Sequence, residues 1–329
     1  MIITKTPYRI SFFGGGSDYP EWYLKNGGEV ISCTIDKYIY LSCRNLPPFF
    51  NHKHRIVWSK VELVKNINEI QHKAVKNMFK HFNIKNGLEI HYDGDLPARS
   101  GMGSSSCFVV GLINSIFALK NQKLNKRDLA KKSIFFEQKI LKETVGSQDQ
   151  IAATYGGLNK IKFFPGGEFK VYPIKLGKKK INELNSNLVL LYTGIKRTAH
   201  HIANTYVNKL TNEKKSEIIE ILDFAKESEK ALRSYNFDEF GRLLHRSWMT
   251  KKNLSKKMSS NSIDQIYDLA IKQGALGGKL LGAGGGGFFL LYVPHEKQKK
   301  FMSYFKKFIR IPFSFEDSGS KIIFNHNKY

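Results

Sequence analysis

Alternation of apolar and polar residues, clearest at Leu88-Glu89-Ile90-His91-Tyr92, predicts strands over 2–10, 28–35, 38–44, 55–58, 88–92, 158–163 and 169–174. Helical spacing of apolar residues predicts helices over 70–82, 105–120, 126–142 and 147–155. The last has a start signal in the capping box Ser147-x-x-Gln150 and a stop at Gly156-Gly157. Beyond residue 180 the pattern restarts with a strand at 187–192. Helical segments follow over 199–210, 216–233, 237–249 and 263–272, then a glycine run at 282–287 and a strand at 288–293. A chain of 329 residues exceeds what one hydrophobic core usually organises. Two domains are therefore expected, 1–180 and 181–329, joined near 175–186, in an α+β fold.

Composition narrows the class. Hydrophobic residues make up 41% and include 24 Phe, enough for packed cores, yet no run approaches the length of a membrane span. The start, Met1-Ile2-Ile3-Thr4-Lys5, lacks a signal peptide's apolar segment, so a cytoplasmic protein is expected. Cys33, Cys43 and Cys107 form neither a disulfide framework nor a Cys-x-x-Cys site. The net charge of +25 suits nucleic acid or a small anionic ligand. Only 10 of the 53 basic residues are Arg, and no arginine-rich helix or aromatic RNA-reading motif is present, which favours phosphorylated small molecules. His52-x-His54 and His200-His201 lack acidic or cysteine partners at zinc spacing.

One segment carries candidate chemistry. Between strand 88–92 and the apolar run 107–119 lies Pro97-Ala98-Arg99-Ser100-Gly101-Met102-Gly103-Ser104-Ser105-Ser106. Glycines let main-chain N–H groups approach an anion, and the helix start behind them favours negative charge. No Gly-Lys-Ser or Gly-Lys-Thr follows four variable residues after a glycine, so this is not a Walker A loop. Gly101-x-Gly103-x-x-Ser106 falls one residue short of a dinucleotide fingerprint, and no acid stands about 20 residues on, at Lys120-Asn121-Gln122-Lys123. The protein-kinase signatures His-Arg-Asp and Asp-Phe-Gly are absent.

Two further glycine clusters stand far away in sequence: Gly14-Gly15-Gly16-Ser17-Asp18 and the run 282–287. In this order the three resemble the motifs of the GHMP small-molecule kinases. The first is Pro7-Tyr8-Arg9-Ile10-Ser11-Phe12-Phe13-Gly14-Gly15-Gly16-Ser17-Asp18-Tyr19, the second is 97–106, and the third is Lys279-Leu280-Leu281-Gly282-Ala283-Gly284-Gly285-Gly286-Gly287. Gly146-Ser147-Gln148-Asp149-Gln150 belongs to the same resemblance, which spans residues 7–287. It implies an ATP-binding N-terminal domain like domain 2 of ribosomal protein S5, a ferredoxin-like C-terminal domain, and a cleft between them.

Residue roles follow from the resemblance. Asp149 is the implied base, oriented by Arg9. The implied nucleotide contacts are Pro97, Arg99, Ser100, Gly101, Met102, Gly103, Ser104, Ser105 and Ser106. Magnesium falls to Glu137 and a serine hydroxyl, assigned to Ser105 with Ser104 and Ser106 as alternatives; hard oxygen donors suit that ion. Substrate contacts are expected from Gly15, Gly16, Ser17, Asp18, Gly284 and Gly285. A substrate already carrying a phosphate needs a cation site of its own, for which Lys196 and Arg197 are the candidates.

The wording of the first motif is most similar to the branch of bacterial D-glycero-D-manno-heptose 7-phosphate kinases, in which the anomeric hydroxyl is phosphorylated on the way to nucleotide-activated heptose for surface polysaccharides. Gly15 and Gly16 stand where other sugar kinases of the family carry Glu and His, which argues against galactose. A kinase for L-fucose or another free hexose is the nearest alternative. A non-catalytic sugar or nucleotide sensor is the alternative of another class, and a nucleic-acid-binding module is the third. The expected ligands are ATP, Mg2+ and a sugar phosphate, with no nucleic acid and no membrane. A homodimer is compatible with this reading.

Overall fold

The structure is a computed structural model that describes residues 1–98, 100–195 and 202–326. It is built on two sheets. Strand β1 (Ile2–Phe13) pairs antiparallel along most of its length with the 18-residue β2 (Gly28–Asn45). The two strands predicted at 28–35 and 38–44 are thus one. Their expected break is a bulge: Pro7 opposes Tyr38 and Arg9 opposes Thr34, so three residues of β2 face one of β1 and the ladder resumes.

The length of β2 lets it serve two neighbours on one edge. Its first half pairs with β6 (Leu158–Phe163) and its second half with β5 (Leu88–Gly94). Beyond these lie β3 (His54–Val57) and β4 (Val61–Val64) on one side and β7 (Phe169–Pro173) on the other. The second sheet is antiparallel, in the order β11 (Ile309–Arg310), β8 (Leu188–Tyr192), β10 (Phe288–Tyr292), β9 (Gly277–Leu280). The chain then returns, and β12 (Lys321–Asn325) adds to β1 on the first sheet.

Helix α1 is Pro20–Asn26 and α2 is Lys73–His81. Helix α3 (Ser104–Leu119) is apolar nearly all round, as expected of a helix buried between sheet and neighbours, and packs on β1 and β2. Helix α4 (Lys126–Phe135) does not run on regularly to 142. It widens into a π-helical turn, Phe136–Ile140, before α5 (Gln148–Tyr155). Lys178-Lys179-Lys180 opens α6 (Lys178–Ser186), so the segment where the sequence predicts a domain join is largely helical. In the second half, α7 (Lys215–Arg233), α8 (Phe237–Lys252) and α9 (Asn261–Lys272) precede β9, and α10 is Gln298–Tyr304.

The two halves meet through buried apolar surface. Phe12 and Phe13 at the end of β1 set their rings edge-on to Phe240 of α8, at centroid distances of 5.3 and 5.2 Å. This contact places the end of β1, with Gly14 and Asp18 just beyond it, against the second half of the chain.

Candidate active site

Where the halves meet, a cavity of about 400 Å³ opens between the end of β1, the start of α3, the turn before α5 and the third glycine run. The loop 97–106 supplies one wall by alternation. Gly101, Gly103, Ser104, Ser105 and Ser106 line the cavity, whereas Ser100 and Met102 are buried behind it and Pro97 faces outward. Arg99 lies outside the described residues. Gly103 adopts φ +78° at the N-cap of α3, and no side chain caps that helix. A helix start carries N–H groups without intrahelical partners, so it favours an anion.

Gly101 and Gly282 explain why the second and third glycine motifs must both be glycine-rich. A Cβ on Gly101 would lie 2.4 Å from the Leu281 carbonyl oxygen, and one on Gly282 would lie 2.6 Å from the Gly101 Cα. Backbone touches backbone there, and both residues have positive φ.

Asp149 stands in the first turn of α5 and is gripped by Arg9 in a two-point fork. Arg9 Nε donates to Asp149 Oδ1 and a terminal guanidinium nitrogen donates to Oδ2, each at 2.7 Å. The other terminal nitrogen donates to the Gly101 carbonyl at 2.7 Å. Arg9 is 4% exposed while the Asp149 side chain keeps 22%, so the carboxylate is held rigidly yet remains open to the cavity.

Asp18 is buried beside this pair. Its Oδ1 accepts from the Gly16 N–H at 2.9 Å and its Oδ2 from Gln148 Nε2 at 2.9 Å. Burial pushes its pKa up, partly opposed by the Gly16 bond, and the nearby Asp149 adds to the rise. Gly146 is required here by space, since a Cβ would fall 1.9 Å from Asp18 Oδ2. Gly15 and Gly16 line the cavity. Ser17 does not: it is fully buried, and its hydroxyl donates to the carbonyls of Gly14 and Glu29 at 2.8 and 3.1 Å.

Glu137 reaches the same region from the π-helical turn, a widened geometry that often re-aims a side chain at a functional site. It is fully buried, and burial raises its pKa to about 8. Ser106 Oγ donates to Glu137 Oε2 at 2.7 Å, and Gln150 Nε2 donates to the same oxygen. The hydroxyl beside Glu137 is therefore that of Ser106 and not of Ser105, which is exposed in the cavity one position earlier on the helix. Glu137 Oε1 is buried with no hydrogen-bond partner among the described residues. An orphaned carboxylate oxygen next to a serine hydroxyl, both hard donors, fits magnesium completed by phosphate and water.

The capping box expected at Ser147 is not formed. No side chain caps α5. Ser147 Oγ is instead in hydrogen-bond contact with Tyr23 Oη and Gln138 Nε2, both at 3.0 Å, and Gln150 is taken by Glu137. Tertiary partners outcompete the local bond.

Gly284 and Gly285 also fall outside the cavity wall. Gly285 N–H donates to the Met258 carbonyl at 2.9 Å, and Gly284 packs on Met258. The residues of that run that line the cavity are Gly282 and Ala283. Pro47, Pro48 and Phe50 border a separate hollow with Lys53, Lys65 and Lys85. Lys196 and Arg197 lie outside the described residues. Several wall residues carried no sequence signal strong enough to single them out: Gln148, Lys73, Lys142, Tyr206, Lys251 and Lys279. Lys279 is the first residue of the third glycine motif. Lys251 is hidden in an ordinary basic helix end.

Comparison with known proteins matches this arrangement. The description "GHMP kinases N terminal domain" matches residues 63–157, and "GHMP kinases C terminal" matches 228–310. The chain is 31% identical to a D-glycero-alpha-D-manno-heptose 7-phosphate kinase of Campylobacter jejuni, over 97% of this chain and 98% of that one. It is 26% identical to a mevalonate kinase of Methanocaldococcus jannaschii, over 93% and 96%. A solved D-glycero-D-manno-heptose 1-phosphate kinase from Bacteroides thetaiotaomicron shares the fold at a TM-score of 0.79 and 22% identity, over 97% of this chain and 98% of that one. No helix of the described residues is long and apolar enough to cross a membrane. With both halves of the family matched in order, and its three glycine motifs brought to one cavity, this chain belongs to the GHMP kinase family.

Proposed function

We propose that the protein transfers the γ-phosphoryl group of ATP to the anomeric hydroxyl of D-glycero-D-manno-heptose 7-phosphate, giving the 1,7-bisphosphate. The observation that carries this reading is the Arg9–Asp149 fork, with its carboxylate open to a cavity that also holds the start of α3 and Asp18. The similarity to the Campylobacter jejuni enzyme supports the choice of sugar.

The chemistry divides among the residues. The acceptor hydroxyl oxygen bonds to the γ-phosphorus, the bond to the β-phosphate oxygen breaks, and Asp149 takes the hydroxyl proton. Positioning and charge stabilisation do most of the work in such transfers. Arg9 fixes the carboxylate in place and faces developing charge with its guanidinium. Asp18, held by Gly16 and Gln148, accepts hydrogen bonds from sugar hydroxyls. Gly101, Gly103 and the first turn of α3 take the phosphate chain. Glu137 and Ser106 would hold magnesium, which when bound neutralises triphosphate charge.

In this reading residues 1–180 form the ATP-binding domain and the rest of the chain the second domain, except that the expected boundary is crossed at the end, where β12 (Lys321–Asn325) completes the first sheet beside β1. Lys196 and Arg197 serve the phosphate that the sugar already carries. An ATP-consumption assay over heptose 7-phosphate, mannose, fucose and galactose tests it. Heptose 7-phosphate should be turned over far faster than the free hexoses, and Asp149→Asn should abolish the difference. Preference for a free hexose would redirect the reading to a kinase for that sugar.

A further inference from the structure

The cavity wall contributed by the second half of the chain holds a lysine with no task in this chemistry. Lys251, in the last turn of α8, is 7% exposed and lines the cavity. Its Nζ donates to the Gly282 carbonyl at 2.6 Å. That bond uses one of its three donors, and none of the described carboxylates lies within ion-pair distance of it. A buried ammonium on a single neutral acceptor is costly, and the cost is relieved by an anion.

Its position says which anion. Gly282 packs directly on Gly101, whose carbonyl holds the Arg9 guanidinium, so the ammonium stands close to Arg9 and to the glycine loop that opens α3. The charged groups facing it are Arg9, Asp18, Asp149 and Lys279. Lys279, 3% exposed, lines the same cavity and donates to the Phe12 carbonyl at 2.7 Å. Arg9 is already committed to Asp149. Lys251 is thus a buried charge on the wall contributed by the second half of the chain, with no carboxylate ion-paired to it among the described residues.

We propose that Lys251 is the cation by which the second half of the chain binds a phosphoryl group in this cavity, its ammonium contacting a phosphoryl oxygen beside the start of α3. The proposal rests on the kinase reading for the source of that group, which is either the nucleotide's phosphate chain or the phosphate the sugar carries. Bound there, the group would tie α8 and the third glycine run to the glycine loop of the first half.

The test is calorimetric titration of wild type, Lys251→Met and Lys251→Gln with two probes, tripolyphosphate and D-glycero-D-manno-heptose 7-phosphate, alongside thermal melts. At least a tenfold loss of affinity for one probe is expected in the folded variants. A loss for tripolyphosphate alone assigns the ammonium to the nucleotide, and a loss for the sugar phosphate alone assigns it to the acceptor; either supports the site. Unchanged affinity for both probes overturns it. If both variants failed to fold, the wild-type protein would decide. Binding should take up more protons at pH 8.5 than the free probe's own titration accounts for, read from buffers of different ionisation enthalpy, and no excess uptake would sink the proposal. Tripolyphosphate binding that depends on Lys251, in a protein that does not bind heptose 7-phosphate, would leave this site standing while removing the sugar assignment.

Discussion

Replacing Lys251 by Met should stabilise the empty protein while weakening its hold on phosphate. Burial brings the lysine's pKa from 10.5 to about 8, with Arg9 adding to the fall and Asp18 and Asp149 opposing it. At 1.36 kcal/mol per pH unit that difference is about 3 kcal/mol of lost stability. Met removes the buried charge but also the bond to the Gly282 carbonyl, worth about 1 kcal/mol. The net gain at pH 7 is about 2 kcal/mol. The pH dependence follows from proton counts. Below pH 8 the folded and unfolded chains both hold the proton, and the burial cost is felt in full. Between about 8 and 10.5 the folded chain sheds it while the unfolded chain keeps it, so wild-type stability from this group rises with pH. The variant's advantage should therefore be full at pH 7 and largely gone by pH 10. Urea unfolding of the two proteins at both pH values, followed by the fluorescence of the buried Trp22 and Trp248, measures it. Saturating levels of whichever probe depends on Lys251 should narrow the gap at pH 7 by about 1.4 kcal/mol for a tenfold difference in affinity, because that probe stabilises wild type more. A variant less stable than wild type at pH 7, or an advantage that stays the same at pH 10, would refute the reasoning.

Asp149→Asn should lower kcat by about 10²- to 10⁴-fold, the usual range for losing a general base, with a much smaller change in the KM for ATP; steady-state kinetics on both substrates read the split. Gly146→Ala should displace Asp18, because the new methyl would lie 1.9 Å from its Oδ2. It is expected to cost about 1–3 kcal/mol by overpacking and to raise the KM for the sugar; unaltered sugar kinetics would show that Asp18 is not at the acceptor. Ser106→Ala should raise the magnesium concentration needed for half-maximal activity more than Ser105→Ala does, because Ser106 is the one bonded to Glu137; the reverse order in a magnesium titration would restore Ser105 to the metal. Arg197→Ala should raise the KM for a phosphorylated sugar while leaving that for ATP, and an unchanged sugar KM would remove Arg197 from substrate binding.

Much of the site was legible because its chemistry is written in local motifs. Arg9, Asp18, Gly101, Gly103 and Asp149 each sit in a short segment whose residue types are unusual together, and all five meet at one cavity. Where the expectations failed, a distant partner had taken over a side chain. Ser147 and Gln150 have the spacing of a capping box, but Tyr23, Gln138 and Glu137 claim them. Ser105 and Ser106 are indistinguishable in sequence. The register of α3 turns Ser106 toward Glu137 and leaves Ser105 in the opening. Gly284 and Gly285 resemble cavity glycines, yet Met258 packs on them.

The short elements were the least visible. Strands such as Val61–Val64 and Gly277–Leu280 hold four residues each, too few for a period to register, and the pair of glycines in the second hides its strand character. The bulge that keeps Gly28–Asn45 a single strand depends on what β1 does opposite it.

By itself, the sequence determined the α+β class, the order of the glycine motifs and the two segments whose Arg9 and Asp149 pair in the cavity, because these depend on residue identity within short windows. Tertiary structure decided which serine meets Glu137, which glycines of the third run face the cavity, and that a lysine at the end of an ordinary helix is buried against Gly282. Those outcomes turn on which backbone groups and side chains from the two halves of the chain approach within hydrogen-bond or van der Waals distance, and no local pattern encodes that approach.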